Sequence, residues 1–439
     1  MSADSTTAEP DGPSADGPAD LKSHLSESLA ETDVGMVVAT MVAVYALFAV
    51  FTVLAGNGLN ALVSTWVRLT YLFAAYATLS LALNLHWGYT GLFNIGVAGF
   101  MGVGIYTMAV LSTSPDAVSG TGLGLPLVVG VVGGMIAAAL VGLVAAVPAL
   151  RLRADYLAIV TLGLSEIIRL TLNSATLSQW TVANFGFGTG GGSGIDLPSR
   201  PTDALLDTAT GTALIDALSP TITASIARRA LWVVVMVGFV LAVYALLVRV
   251  GNSPFGRVLK AIREDELVAR SLGKDTRLFK IKVFMLGCAL MGLGGILWQG
   301  SQGYVSPDSF RPIVTFYVFI AVIIGGAGSN TGSLIGSILF VGLLFEGPRT
   351  FGDIIGNAVD LPSAPGTFAG AIAPIGSLDV TPLLSYLVGN ISAFRFILLG
   401  VVLVVIMQKR PEGALGHRTE TAAAVDLDRP ASNGGERDE

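Results

Sequence analysis

The sequence predicts an all-α polytopic membrane protein of about ten (roughly eight to ten) transmembrane helices, with both termini cytoplasmic. Three observations predict it. Of 439 residues, 52% are hydrophobic and 13% charged, with a mean hydropathy of +0.71, whereas soluble globular chains carry about 25% charged residues. Apolar runs of about 20 residues recur along the chain, long enough to cross a bilayer core of about 30 Å. Lys and Arg gather between some of these runs and are sparse between others.

In chain order, residues 1–34 hold eight Asp and Glu against Lys22 alone, which predicts an acidic, disordered N-terminal tail. No cleavable signal peptide is expected, because an acidic segment precedes the first apolar run. Ten segments follow, at roughly 35–55, 61–85, 91–112, 126–149, 156–172, 230–248, 283–300, 313–327, 333–347 and 384–407. The segments 156–172, 313–327 and 333–347 are short, which suits tilted, re-entrant or longer helices. The transmembrane domain covers 35–410, and 411–439 forms a second acidic, disordered tail. Six Lys against nineteen Arg, with acidic tails, suit a salt-rich, halophile-like cytoplasm.

Orientation follows from the basic residues, since cytoplasmic loops hold the excess. Residues 249–282 carry nine Lys and Arg against four acids, a balance of +5. Arg151 and Arg153 mark a second cytoplasmic turn, and Lys409 and Arg410 close the last span. The loops 173–229 and 348–383 then lie outside. The first contains "NFGFGTGGGSGIDLPSRP", which lacks the Lys-Ser/Thr of a phosphate-binding loop and reads as a flexible turn or an external docking surface.

Metal and redox chemistry find no support. Cys288 stands alone, His24, His86 and His417 are far apart, and no metal site is expected. No nucleic-acid partner is expected either.

"SPFGRVLKAIREDELVARSLGKDTRLFK", 253–280, is the most charged long stretch. Ser253 reads as an N-cap, Pro254 as the first helical residue and Gly273 as a stop about five turns later. Phe255, Val258, Leu259 and Ile262 share one face, with Arg257, Lys260 and Glu264 opposite. The stretch is open to three readings: a helix lying on lipid headgroups, a positive-inside topology signal, or a plug for a cytoplasmic protein.

"SPFGRVLKAIREDELVARSLG" resembles the cytoplasmic loop of permease subunits in ABC importers for branched-chain amino acids, more narrowly the larger of their two homologous permeases. "DYLAIVTLGLSEIIRLTLN" (155–173), "LALNLHWGYTGLFNIGVAGFMGVGIYT" (81–107), "IGGAGSNTGSLIGSILF" (324–340) and the outer "TGGGSGIDLP" resemble that family in the expected order. The resemblance implies a coupling loop that docks on an ATP-hydrolysing subunit, involving Ser253, Phe255, Gly256, Arg257, Ile262, Arg263, Glu264, Asp265, Glu266, Ala269 and Gly273. Of the Glu-Ala-Ala-x-x-x-Gly pattern of ABC importers only Ala269 and Gly273 match, with Glu266 one place early. It further implies a second homologous permease, two ABC ATPase subunits that hold ATP and Mg, an extracellular substrate-binding protein, and surrounding lipid.

Within the apolar runs, Glu166 and Arg169 lie at i, i+3, read either as an intrahelical ion pair at the outer end of a span or as lining of the substrate path. Asn84, His86 and Asn94 flank "WGYTG" and read as satisfied polar groups between helices or as part of an inner gate. Arg68 reads as a snorkelling side chain.

No G-x-x-x-x-G-K-[ST] occurs, so the chain is expected to be a transport subunit and no enzyme. The leading expectation is a permease for branched-chain amino acids. Alternatives are a permease for urea or short amides, an ion-coupled carrier or a membrane-embedded enzyme.

Overall fold

A helix buried on every side needs partners all round it. Leu59–Thr90 is such a helix, 32 residues long, with every residue from Tyr71 to His86 buried. The computed structural model describes residues 33–115, 122–150, 152, 154–179, 181–182, 185–186, 188–218, 222–358, 362–377 and 379–415. Arg151, Arg153 and the predicted tails, apart from residues 33–34 and 411–415, lie outside the described residues.

The bundle consists of α1 (Asp33–Leu54), α2 (Leu59–Thr90), α3 (Val97–Ser112), α4 (Leu127–Ala149), α5 (Ala154–Leu172), the short α6 (Pro201–Leu206) and α7 (Ala209–Leu218), and α8 (Ala224–Gly251). Then come α9 (Pro254–Glu264), α10 (Glu266–Ser271), α11 (Thr276–Gln299), α12 (Pro312–Gly325) and α13 (Asn330–Leu339). A π-helical turn, Phe340–Glu346, leads into α14 (Gly347–Ala358), followed by α15 (Phe368–Ile372), α16 (Thr381–Gly389) and α17 (Ile391–Lys409).

Among the described residues, seven segments are long and apolar enough to cross a membrane: α1, α2, α4, α8, α11, Pro307–Gly325 and Asn330–Gly352. The ten predicted segments are all helical, with shifted limits. Helix α3 has 16 residues, α5 carries Asp155, Glu166 and Arg169, and the tenth segment is divided at Asn390 into α16 and α17. The segment predicted at 333–347 is longer than drawn, because the π-helical turn carries it forward into α14.

Two layers emerge from burial. The apolar stretch of α2 is 78% buried and that of α11 67%, against 17% for α1, 22% for α4 and 33% for α8. The outer helices turn branched side chains away from the protein: Val128, Ile136, Leu140 and Val144 on α4 are all exposed. Such faces need a hydrocarbon solvent. The inward face of α4 is a stripe of small residues, Gly130, Gly134, Ala138, Gly142 and Ala149. It lets α4 approach α3 and α11 closely. A Cβ on Gly104 of α3 would strike the backbone of Gly292 in α11.

At one end of the bundle, β3 (Ile195–Asp196) pairs antiparallel with β4 (Tyr304–Val305), Ile195 opposite Val305. A separate hairpin joins β1 (Thr181–Val182) to β2 (Phe185–Gly186). The glycine-rich stretch predicted as a flexible turn is packed instead: Gly194 takes φ +74 against the Val305 carbonyl, and Ile195 and Leu197 are buried. This is the ribbon end. The opposite end bears α9 and α10 and is the loop end.

Overpacking a closed helix crossing costs about 1–3 kcal/mol. Gly104→Ala is therefore expected to lower the unfolding temperature of the detergent-solubilised chain, while Gly163→Ala, with open space around its Cα, leaves it unchanged. Equal unfolding temperatures for the two variants contradict the close α3–α11 crossing.

Candidate functional site: the charged loop and the mouth beneath it

The loop is two helices. Ser253 caps α9, its Oγ accepting from the Gly256 N–H at 3.2 Å. Asp265 then breaks the single helix that the sequence predicted. Its backbone is extended (φ −154, ψ 107), and its Oδ1 accepts from Leu267 and Val268 N–H at 2.8 and 3.1 Å, capping α10. Gly273, at φ +75, stops α10, and Asp275 caps α11.

The face predicted as a partner's anchor is turned inward. Leu259 and Ile262 are buried, Gly256 is buried, and the Phe255 ring stacks on Phe279 with centroids 5.2 Å apart. Helix α9 packs on α2, α8 and α11. The turn at Asp265 instead leaves Leu267 (72% exposed), Val268 (55%) and Leu272 (72%) bare on α10, with Leu278 beside them. The sequence pattern draws attention to the face of Phe255, Val258, Leu259 and Ile262, and Leu267 and Val268 lie off that face. The signal that could have found the patch was the Asp at 265 with helix-forming residues behind it.

Several charges predicted for a partner serve the loop itself. Glu266 accepts from Lys280 Nζ at 2.5 Å, Arg270 Nη2 at 2.8 Å and Thr276 Oγ1 at 2.9 Å, clamping α10 to α11. Partial burial raises the Glu266 pKa, but the bonds from Lys280 and Thr276 and the Lys280 and Arg270 charges outweigh it and hold the carboxyl below its ordinary value of 4.5. Ala269 is 2% exposed beneath this clamp. Arg257 and Glu264 are exposed, and Glu264 pairs with Arg263 at 2.7 Å.

Arg263 ties the loop to the bundle. Its Nη1 donates to the Gly88 carbonyl at 2.6 Å, near the C-terminus of α2. That helix ends at Gly91 (φ 69), where Leu92 N–H reaches back to the His86 carbonyl at 2.9 Å. One turn before Gly88, Asn84 Oδ1 accepts from Gly328 N–H at 2.7 Å and its Nδ2 donates to Asn330 Oδ1 at 3.1 Å. Gly326 and Gly328, at φ 100 and 96, form the break between α12 and α13. Loop, α2 and glycine break thus meet at one point.

His86 Nε2 donates toward the Val283 and Phe284 carbonyls (3.2 and 3.1 Å), and its Nδ1 accepts from Asn94 Nδ2 at 3.1 Å. Asn94 Oδ1 accepts in turn from Gly96 N–H at 2.8 Å. A cavity of about 480 Å³ opens beside this network, lined by Lys260, Arg263, Tyr244, Asn330 and Thr331. Leu415 also borders it, held by Leu415 N–H to the Gly325 carbonyl at 3.0 Å. The first residues of the predicted C-terminal tail are therefore bonded to the mouth.

Glu166 and Arg169 lie at the ribbon end, away from Asn84 and Asn94. Arg169 pairs with Glu166 at 2.5 Å and with Asp308 at 3.2 Å. Arg68 does more than snorkel: it bonds Glu346 at 3.0 Å, whose side chain is 7% exposed. The sequence reading passed over Glu346, which lies at the edge of an apolar run.

Long apolar helices around a polar mouth, with a charged loop fastened over it, define an integral membrane protein. Residues 65–352 match the family described as branched-chain amino acid transport system / permease component, and the chain belongs to that family. It is 34% identical over 287 residues to the high-affinity branched-chain amino acid transport system permease protein LivM of Escherichia coli (strain K12), covering 61% of this chain and 60% of that one. It is 27% identical over 298 residues to the probable branched-chain amino acid transport permease protein LivM of Methanocaldococcus jannaschii, covering 61% and 77%. A shorter likeness, 29% over 112 residues, links it to the LivH permease protein of the same E. coli strain, covering 26% and 35%. The match thus spans about 60% of the length of the E. coli LivM relative. No solved structure matches the chain. The protein is a multi-pass protein of the plasma membrane.

The Glu266 clamp gives a pH dependence of known sign. A carboxyl with a lowered folded pKa stabilises fully above its ordinary value of 4.5 and loses that contribution as pH falls through the folded value. Protection factors for α10 amides are expected to be high at neutral pH and to fall as the pH drops below the ordinary carboxyl value of 4.5. Glu266→Gln is expected to show the low protection already at neutral pH. Unchanged protection in the variant contradicts the clamp.

Proposed function

We propose that this chain is one permease subunit of an ATP-driven ABC importer and provides the path for branched-chain amino acids delivered by an external binding protein. Family membership and the LivM likeness support the cargo class, and the LivH likeness supports pairing with a second, homologous permease. The loop end faces the cytoplasm, in keeping with its nine basic residues, and the ribbon end faces outward. The chain binds no cofactor of its own; ATP and Mg belong to two partner ATPase subunits. Neither a urea or short-amide permease nor an ion-coupled carrier is favoured by the relatives found.

The observation that carries this reading is the bare apolar patch on α10. Leu267, Val268 and Leu272 stand exposed on a loop whose other large apolar side chains, Leu278 apart, are buried or half-buried and whose acids are bonded internally. An apolar knob on a loop that also exposes Arg257, Lys274 and Arg277 suits a groove on a protein. Motion of that knob passes through Arg263 to Gly88 and through Asn84 to the glycine break.

Co-purification with the ATPase separates docking from folding. The double change Leu267→Asp with Leu272→Asp is expected to release the ATPase while the permease keeps its unfolding temperature. Ile262→Asp, at a buried site, is expected to lower that temperature by placing a charge in the permease itself. Retention of the ATPase by the double variant contradicts the docking role.

A further inference from the structure

A second polar cavity, of about 560 Å³, lies at the ribbon end between α2, α8, α11 and the π-helical turn. That is within the range of about 300–1,000 Å³ typical of small-molecule sites. Its lining is split by chemistry. Four guanidiniums enter it, from Arg68, Arg200, Arg228 and Arg229, against one carboxylate, Glu346. Leu72, Trp298 and Phe345 supply apolar lining.

Three of the arginines have carboxylate partners: Arg68 with Glu346 at 3.0 Å, Arg200 with Asp203 at 3.0 Å, and Arg228 with Asp207 at 2.7 Å. Arg229, one residue on from Arg228 in the first turns of α8, is exposed and pairs with no carboxylate among the described residues. The floor is held still: Ser301 and Gln302 bond the Tyr71 hydroxyl at 3.3 and 3.1 Å, and that hydroxyl donates to the Trp298 carbonyl. The π-helical turn Phe340–Glu346 ends at the cavity and delivers Phe345 to the apolar lining and Glu346 to the polar lining. Single π turns inside helices gather at functional sites.

We propose that this cavity receives a free α-amino acid with an apolar side chain. Its carboxylate lies on the Arg229 fork with Arg228 beside it, the planar donors that match a carboxylate bidentately. Its ammonium shares the Glu346 carboxylate with Arg68, and its side chain rests on Leu72, Trp298 and Phe345. The excess of guanidiniums over carboxylates makes the ligand carboxylate the dominant anchor. The site rests on the permease reading and its orientation, under which the cavity faces outward, and it places selection for a zwitterion in the permease as well as in the binding protein.

The test uses the full chain with its partner permease in lipid nanodiscs, without the binding protein, and radiolabelled L-leucine. Leucinamide, which lacks the carboxylate, and 4-methylpentanoate, which lacks the ammonium, are expected to compete at least about tenfold more weakly than leucine. Arg229→Gln is expected to weaken leucine binding at least about tenfold and to remove the preference over leucinamide, with Arg229→Lys between the two. Arg311→Gln, an exposed arginine of the same end outside the cavity, serves as control and is expected to bind as wild type. Equal competition by leucine and leucinamide, wild-type binding in Arg229→Gln, or displacement of leucine by phosphatidylglycerol alone overturns the proposal. Uptake by the complete ATP-driven complex separates the two levels. If the wild type transports leucine and Arg229→Gln binds and transports as wild type, the site is wrong and the permease reading stands. If the wild-type complex moves no branched-chain amino acid, the permease reading fails, and the cavity assignment with it.

Discussion

Polar groups on α2 cannot reach water, and most of the loop-end architecture follows from satisfying them. Asn84, His86 and Thr90 are buried on a helix surrounded by protein. An unpaired buried polar group costs about 1–3 kcal/mol, so each must find a partner. Asn84 finds the glycine break, His86 the Val283 and Phe284 carbonyls of α11, and Thr90 the His86 carbonyl of its own last turn. These bonds fix the angle at which α11 and the α12–α13 break meet α2. The glycines serve the same end: positive φ at Gly326 and Gly328 lets the break turn its N–H toward Asn84.

The loop is built on that foundation by a division of labour among its residues. Leu259, Ile262 and Phe255 spend their apolar surface on the bundle, Asp265 and Glu266 spend their charge on caps and clamps, and Arg263 joins the loop to the end of α2. A loop so fastened moves as one body with the mouth. What remains for a partner is the leucine patch on α10, small and rigid. Under the proposed function such fastening suits transmission, since a floppy loop would absorb a partner's displacement.

Much of this was legible in the sequence. The helical class, the positions of the long apolar helices and the caps at Ser253 and Gly273 follow from hydropathy and local backbone chemistry. The polar cluster at Asn84 and Asn94 stood out because such residues are rare in apolar runs. Two features were hidden for physical reasons. The break at the extended Asp265 separates α10 from α9, and a helical pattern read through it gives no sign that Leu267, Val268 and Leu272 are left bare. The Arg68–Glu346 pair joins positions 278 residues apart, and no local pattern reports a tertiary partner. The division of the last predicted span at Asn390 and the packing of the glycine-rich outer stretch against β4 likewise depend on tertiary contacts.

Arg263 donates the hydrogen bond that joins the charged loop to the Gly88 carbonyl near the α2 terminus, so Arg263→Gln in the reconstituted complex tests the mechanical link most directly. ATP hydrolysis and leucine uptake would be measured together in proteoliposomes. If the link carries motion, the ATPase stays bound and hydrolyses ATP while uptake per ATP falls at least about tenfold. Unchanged uptake per ATP would contradict a coupling role for the Arg263–Gly88 junction.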